Sequence, residues 1–124
     1  MGPARVDEAG VPPPPVSVVL VAAVVPDLLF GSKVKAMLEG AGHDVSLVPA
    51  VDRAGEADVL VVDLASGTIE PEAAGETGTP RLAIYSHVDA EMKARAEAAG
   101  FDLVVPRSRF VREGAALVER LASS

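Results

Sequence analysis

The stretch from Val59 to Leu64 restricts the fold of this chain more than any other part of the sequence. It reads Val-Leu-Val-Val-Asp-Leu, five apolar residues interrupted by one carboxylate, Asp63, and the loop-forming Ser66 and Gly67 follow shortly after it. A strand that is apolar on both faces is typical of the interior of a parallel sheet covered by helices on each side. Asp63 is therefore predicted at the carboxyl end of a central strand, the edge where open α/β sheets form their sites.

Composition supports one domain with an aliphatic core. The chain has 124 residues, of which 49% are hydrophobic and 3% aromatic. A chain of this length buries roughly two thirds of its unfolded surface, and a core built from Val, Leu, Ile and Ala favours buried parallel strands over an aromatic-rich β-sandwich. The absence of cysteine excludes disulfides and thiolate sites and is compatible with a reducing compartment.

The charge and the apolar runs exclude several classes of protein. A formal charge of −7 disfavours unaided binding to nucleic acid or to anionic membranes. The longest apolar run, Val18 to Val25, is far shorter than the roughly 20 residues that span a bilayer. The first ten residues lack the basic start and the cleavage site of a signal peptide. We therefore expect a cytoplasmic protein.

Residues 1–15 differ in composition from the rest of the chain. They contain acidic residues, glycines and the run Pro12 to Pro15, which can neither donate to a sheet nor enter a helix interior. We predict a disordered, proline-rich leader over residues 1–15 and a folded domain over residues 16–124. The alternative is a docking segment in the polyproline II conformation.

Strand and helix patterns alternate over residues 17–122. Besides the strand that ends at Asp63, the predicted strands are Ser17–Val25, His43–Val48, Leu82–Tyr85 and Leu103–Val105. The predicted helices are Asp27–Ala41, a second one that begins at the capping residue Asp89 and ends near Ala99, and Val111–Ala122.

The segments between the second and fourth strands are too short for full helices. Pro49 to Ala57 leaves space for one helical turn, and Ser66 to Pro80 is predicted as a long acidic loop or a single irregular turn. The economical topology is a doubly wound, flavodoxin-like parallel sheet of five strands in the order 2-1-3-4-5, with shortened second and third helices.

Three motifs in this order resemble the receiver domain of response regulators, the CheY-like fold. They are VLVVDL with Asp63, AIYSH with Ser86, and AGFDLVVPRSRF with Arg107, the last of which follows the family pattern AG-[AF]-D-x-x-x-x-K-P-F. The resemblance implies a phosphoacceptor at Asp63, a switch hydroxyl at Ser86, and Arg107 in the place of the family's lysine. It also implies a histidine kinase as partner and Mg²⁺ as cofactor.

The sequence departs from this family at the metal site. The family carries a pair of acidic residues at the end of the first strand, where this chain has Val25 and Pro26. Asp27 is the single candidate ligand, and it is also well placed to cap the following helix. We therefore expect Mg²⁺ binding to be weak or absent, with no other firm cofactor.

A second departure concerns the basic residue. An arginine forks onto a carboxylate and stays protonated, whereas a lysine acts as a point charge. Arg107 could therefore hold Asp63 in a static ion pair, and the family's following proline is replaced by Ser108. Asp63 itself is open to two interpretations, a phosphoacceptor or a side chain that caps the next turn.

Two surfaces are candidates for partners. The short second and third helices leave one side of the sheet thinly covered, and a partner or the leader could lie there. The face of residues 89–122 concentrates six of the eleven basic residues and is predicted to bind a signalling protein or a second copy of the chain. The six are Lys93, Arg95, Arg107, Arg109, Arg112 and Arg120.

The function that the sequence predicts is that of a stand-alone, receiver-like signalling domain of a two-component-type pathway. We expect it to be degenerate, a pseudo-receiver without enzymatic activity that acts through protein contacts. The first alternative is a true response regulator phosphorylated on Asp63. The second is a small flavodoxin-like enzyme that binds a phosphate or nucleotide in the loop Ser66 to Thr68, a weak signal by itself.

Overall fold

The computed structural model describes residues 18–74 and 78–123. The predicted leader over residues 1–15, Ser17 at the start of the first predicted strand, and residues 75–77 of the predicted acidic loop lie outside the described residues. The domain boundary at residue 16 therefore stays a prediction. Within the described residues, no helix is both long and apolar enough to cross a lipid bilayer.

Five parallel strands form one sheet in the order β2-β1-β3-β4-β5, as the sequence predicts. Every neighbouring pair is parallel, and β3 lies in the centre with all five of its residues buried. The strands are β1 (Leu20–Val24), β2 (Asp44–Leu47), β3 (Val59–Asp63), β4 (Arg81–Tyr85) and β5 (Leu103–Pro106). Their carboxyl ends meet at one edge, which we call the carboxyl edge.

Three α-helices follow strands β1, β4 and β5. They are α1 (Leu28–Gly40), α2 (Ala90–Ala98) and α3 (Arg107–Ser123). Asp27 caps α1 through hydrogen bonds from the backbone N–H groups of Leu29 and Phe30. Asp89 caps α2 by accepting from the N–H of Met92. Both caps were expected, because an aspartate accepts the N–H groups that a helix start leaves without partners.

The second and third helices of the doubly wound pattern are reduced to short 3₁₀ segments. One covers Val51–Arg53 between β2 and β3, and two, Leu64–Ser66 and Pro71–Ala74, lie between β3 and β4. The prediction of shortened connections is confirmed. Gly55 and Gly67 follow the first two of these segments with left-handed backbones, φ 67° and 78°, which interrupt a helix.

The sheet separates two hydrophobic clusters. Helices α1 and α3 cover one face, where Leu38, Phe110 and Leu117 are fully buried against β1, β3 and β4. Helix α2 and the 3₁₀ segments cover the other face, where Leu60, Leu64 and Ala96 are buried. Alternate residues of the central strands point into each cluster, which explains why these strands are apolar throughout.

Helix α3 begins at Arg107 rather than at Val111, where the sequence pattern places it. It follows directly on Pro106, the last residue of β5, without an intervening loop. The apolar periodicity begins only near Phe110, so it misses a first turn made of Arg107, Ser108 and Arg109. This early start fixes Arg107 at the carboxyl edge.

His43 is a buried clamp that the sequence does not reveal. Its Nδ1 accepts a hydrogen bond from the N–H of Val19 at 3.1 Å, and its Nε2 lies 2.7 Å from a carboxylate oxygen of Glu119 in α3. The side chain is 1% exposed. The sequence places it only at the start of the second predicted strand, because its partners come from distant positions of the chain.

Candidate functional site at the carboxyl edge

Asp63 ends the central strand and its side chain has 0% exposure. One carboxylate oxygen, Oδ1, accepts a hydrogen bond from the N–H of Ala65 at 3.0 Å and so caps the following 3₁₀ turn. The other, Oδ2, accepts from Nη2 of Arg107 at 2.7 Å. Both oxygens therefore have partners, and the charge is balanced by a short charge-assisted hydrogen bond.

Arg107 reaches Asp63 from the start of α3, across the end of β4. Its guanidinium carbon lies 4.2 Å above the centre of the Phe30 ring, within the range of a cation–π contact. Among the described residues, its buried Nε has no hydrogen-bond partner. The side chain is 36% exposed, so water reaches part of the guanidinium. The arginine is thus held by Asp63 on one side and by the aromatic ring below.

Asp27 approaches the same guanidinium nitrogen, Nη2 of Arg107, as Asp63 does. Its Oδ1 caps α1, and its Oδ2 lies 3.9 Å from Nη2 of Arg107. This second pair is long and partly exposed, so it contributes little by itself. The result is a small charge cluster in which two carboxylates, Asp63 and Asp27, approach one guanidinium nitrogen of Arg107.

The residues of this edge do not fit the Mg²⁺ ion that the resemblance implies. Mg²⁺ takes carboxylate oxygens at about 2.0–2.1 Å in near-octahedral geometry. Asp63 Oδ2 already accepts a hydrogen bond from Nη2 of Arg107 at 2.7 Å. Asp27 Oδ1 accepts from two backbone N–H groups. Within residues 18–74 and 78–123, no group of three or more carboxylate, histidine or cysteine side chains could hold a metal ion.

Ser86 directly follows β4, which lies between β3, the strand of Asp63, and β5, the strand that precedes Arg107. Its carbonyl accepts from the N–H of Asp89 at 2.8 Å and closes the turn into α2. In the described part of the chain, its hydroxyl makes no hydrogen bond with Asp63 or Arg107. The strand order therefore brings the three sequence-predicted residues to one edge, but only Asp63 and Arg107 touch.

The loop Ser66 to Thr68 is folded onto its own strand. The Ser66 hydroxyl donates to the carbonyl of Asp63 at 3.2 Å and lies 3.1 Å from the Thr68 hydroxyl. Gly67 closes the turn with a left-handed backbone, φ 78°. Both hydroxyls are thus engaged within the loop.

Sequence reasoning missed the contribution of Phe30. The apolar pattern places it only on the core-facing stripe of α1, where it is 9% exposed. In the structure its ring also supports Arg107. The signal was its position one turn after the cap Asp27, at the helix start that faces the carboxyl edge. Helix α1 thereby brings both an anion and an aromatic ring to the arginine.

The cationic face of residues 89–122 is largely neutralised within the chain. Arg95 binds Glu70 at 3.0 Å and Glu72 at 2.8 Å, and this contact ties α2 to the preceding 3₁₀ segment. The Arg95 hydrogen bond holds the pKa of the Glu72 carboxyl below its usual range. Arg109 and Arg112 each lie within ion-pair distance of Glu113. Residues 89–122 also contain six acidic residues, so this face has no net formal charge despite its six basic residues.

Comparison with solved structures gives a consistent likeness. The receiver domain of a sensor histidine kinase from Pseudomonas aeruginosa, solved with a magnesium ion in its active-site cleft, superposes with a TM-score of 0.73 at 17% identity and covers 87% of this chain and 100% of its own. The receiver domain of a signal transduction histidine kinase from Syntrophus aciditrophicus gives 0.72 at 18% identity, covering 86% and 91%.

A CheY-like receiver domain protein from Methanospirillum hungatei gives a TM-score of 0.65 at 15% identity and covers 86% of this chain and 98% of its own. No protein-family model and no curated protein sequence matches the chain. At these identities the likeness concerns the fold. The five-stranded parallel sheet in the order 2-1-3-4-5, with Asp63 at its carboxyl edge, therefore has the fold of the CheY-like receiver domains of response regulators.

Proposed function

We propose that this chain is a receiver-like signalling domain that does not accept a phosphoryl group at Asp63. It acts through protein contacts, without enzymatic activity. The single observation that carries the proposal is the state of Asp63. The side chain has 0% exposure, and its two oxygens are taken by Ala65 and Arg107. An incoming phosphoryl group would have to displace the arginine before it reached the carboxylate.

The counter-charge at this edge comes from the protein rather than from a metal ion. Phosphoryl transfer to a carboxylate brings two anionic groups together, and divalent cations normally neutralise that charge. Here the permanent positive charge of Arg107 balances Asp63 directly, with Asp27 near by and Phe30 beneath the guanidinium. An arginine in this position stabilises the resting carboxylate, and a stabilised carboxylate is a poorer nucleophile.

The contacts through which the domain signals are proposed to lie on the face of residues 89–122. This face combines the exposed side of α2, the edge strand β5 and the amphipathic α3. Most of its arginines already pair within the chain, so we expect a partner to be recognised by shape more than by a large opposite charge. A signalling protein or a second copy of the chain fits this description.

The experiment is an amide NMR titration of the full chain with Mg²⁺ and beryllofluoride, a mimic of the phosphoryl group. If Asp63 is closed by Arg107, the amides of Ala65, Ser86 and Met92 keep their chemical shifts. The same titration on Asp63→Asn should look the same as on the unmodified chain.

The opposite outcome is equally clear. Saturable shifts around Asp63 that spread to α2 and disappear in Asp63→Asn would overturn the proposal and establish a working phosphoacceptor. Asp58→Asn is the matched control, because Asp58 is an exposed carboxylate just before the other end of β3. Shifts lost in both variants would instead reflect general loss of charge.

A further inference from the structure

The backbone of the edge strand β2 has an open side. The N–H groups of Asp44 and Val48 donate to carbonyl oxygens on the β1 side at 3.1 Å and 2.9 Å. Successive residues of a strand direct their backbone groups to opposite sides, so those of Val45 and Leu47 point away from the sheet. Among the described strands, β2 has β1 as its single neighbour. An open edge of this kind is a template for pairing with a strand of another chain.

Lys35 of α1 reaches this open edge. Its Nζ donates to the carbonyl oxygen of Val45 at 3.4 Å and to a carboxylate oxygen of Glu39, one turn further along α1, at 2.9 Å. Val45 is 6% exposed although it belongs to an edge strand. The lysine side chain is 44% exposed, so its ammonium group stays in contact with water. A hydrated charge at an edge carbonyl must be displaced before another strand can pair there.

We propose that Lys35 closes a strand-pairing interface, and that the partner this interface fits is β2 of a second copy of the chain. An antiparallel arrangement centred on Ser46 places Val45 of one copy opposite Leu47 of the other. The outward groups of such a pair exchange both of their N–H···O bonds. The edge is therefore its own complement, as a two-fold symmetric contact requires.

The side chains of this arrangement are compatible with pairing once the lysine is removed. Ser46 faces its own equivalent and Asp44 faces an apolar residue, so no like charges lie opposite each other. Leu47 is 43% exposed and would lose part of its contact with water against Val45 of the second copy. Lys35 opposes pairing, because its ammonium group lies at the carbonyl that the N–H of the second copy needs.

This interface is separate from the contacts proposed above for signalling. Strands β2 and β5 lie at opposite edges of the sheet, and the face of residues 89–122 contains β5. Self-association through that face does not use the backbone of β2. Changes confined to β2 therefore distinguish the two contacts.

The test is sedimentation velocity of the full chain over a range of concentrations. Lys35→Ala should form dimers at concentrations about tenfold or more below those that the unmodified chain requires, a change of about 1.4 kcal/mol in association. Alanine suits an exposed helix position, so this variant is expected to fold. Lys35→Arg keeps the charge and should behave as the unmodified chain. Lys33→Ala is the matched control, because it removes the same charge from another exposed position of α1.

Two double variants locate the contact. In the Lys35→Ala chain, Leu47→Pro removes an outward N–H and leaves the bonds of Asp44 and Val48 towards β1 in place, so the dimer should disappear. Leu47→Ala shortens the same side chain but keeps the N–H, so the dimer should remain.

Three results would overturn the proposal. In the first, Lys35→Ala associates no more than Lys33→Ala. In the second, the dimer persists with Leu47→Pro, which would place the contact on another surface. In the third, both double variants lose the dimer equally, which would indicate a contact between side chains instead of strand pairing.

Discussion

At the residue scale, the guanidinium of Arg107 determines the charge balance of the candidate site. Arginine presents a rigid set of donors and keeps its charge at all relevant pH values, while lysine offers a mobile point charge. Nη2 of Arg107 lies 2.7 Å from Asp63 Oδ2, and the guanidinium carbon lies 4.2 Å from the centre of the Phe30 ring. Both the charge and the planar face of the arginine therefore make contacts. A residue held in this way is suited to a permanent ion pair.

The two partners of this pair are expected to respond unequally to removal. Arg107→Ala leaves the fully buried Asp63 charge without its partner and should lower the unfolding free energy by about 2–3 kcal/mol. This is below the about 3–5 kcal/mol of fully buried pairs, because the arginine is partly exposed. Asp63→Asn leaves Arg107 open to water and should cost about 1 kcal/mol. Urea unfolding of both variants measures the difference; an Asp63→Asn chain more stable than the unmodified one would contradict the pairing.

Asp27 is expected to act as a helix cap. Asp27→Asn keeps the acceptor for Leu29 and Phe30 and should leave stability nearly unchanged, whereas Asp27→Ala should cost about 0.5–2 kcal/mol. Thermal unfolding of the two variants separates the acceptor from the charge. Equal losses in both variants would mean that the negative charge beside Arg107, and not the cap, is the important property.

At the element scale, the start of α3 positions the site. Because α3 begins directly after β5, the side chain of Arg107 projects over the carboxyl edge instead of lying in a loop. Gly114 of α3 faces α1, where a Cβ at this position would come within 2.7 Å of the Met37 methyl group. The close packing of α1 and α3 brings Asp27, Phe30 and Arg107 together.

Gly100, just after α2, provides a test of the packing on the α2 face of the sheet. Gly100 has φ +93° and a Cβ there would lie 2.9 Å from Nη2 of Arg81, which donates to the carbonyl of Ala99 and lies over Phe101. Gly100→Ala should cost the left-handed strain of about 1–2 kcal/mol plus the displacement of the buried arginine. Gly42→Ala is the matched control, with φ +96° and open space around it. Equal losses in thermal unfolding would show that Arg81 is not held by this contact.

The elements were predictable where local patterns decide them. The strands β3 and β4, the caps Asp27 and Asp89, and the short connections all follow from apolar runs, capping residues and punctuation by proline and glycine. The first turn of α3 was not predictable, because its residues Arg107 to Arg109 carry no apolar pattern and precede the buried Phe110. The clamp of His43 depends on Glu119, far away in sequence, and no local pattern reports it.

At the scale of the whole molecule, the topology was predictable and the state of the site was not. Alternating strands and helices predict a doubly wound parallel sheet, and the observed strand order brings Asp63, Ser86 and Arg107 to one edge. Which of them touch depends on side-chain reach across β4 and on the support of Phe30 from α1. These are tertiary contacts, so the sequence could propose an ion pair of Asp63 and Arg107 without deciding between it and a phosphoacceptor.

The most direct test of this account is the unfolding free energy of the whole chain as a function of Mg²⁺ concentration, at constant ionic strength. A ligand that binds the native state stabilises it by RT ln(1 + [L]/Kd), about 2.7 kcal/mol at a concentration of 100 Kd. With Arg107 as the counter-charge of Asp63, we predict that the unfolding free energy does not change with Mg²⁺ concentration. This holds separately for the unmodified chain and for Asp63→Asn. A rise in stability with Mg²⁺ that Asp63→Asn abolishes would contradict the account and indicate a receiver that binds Mg²⁺ at Asp63.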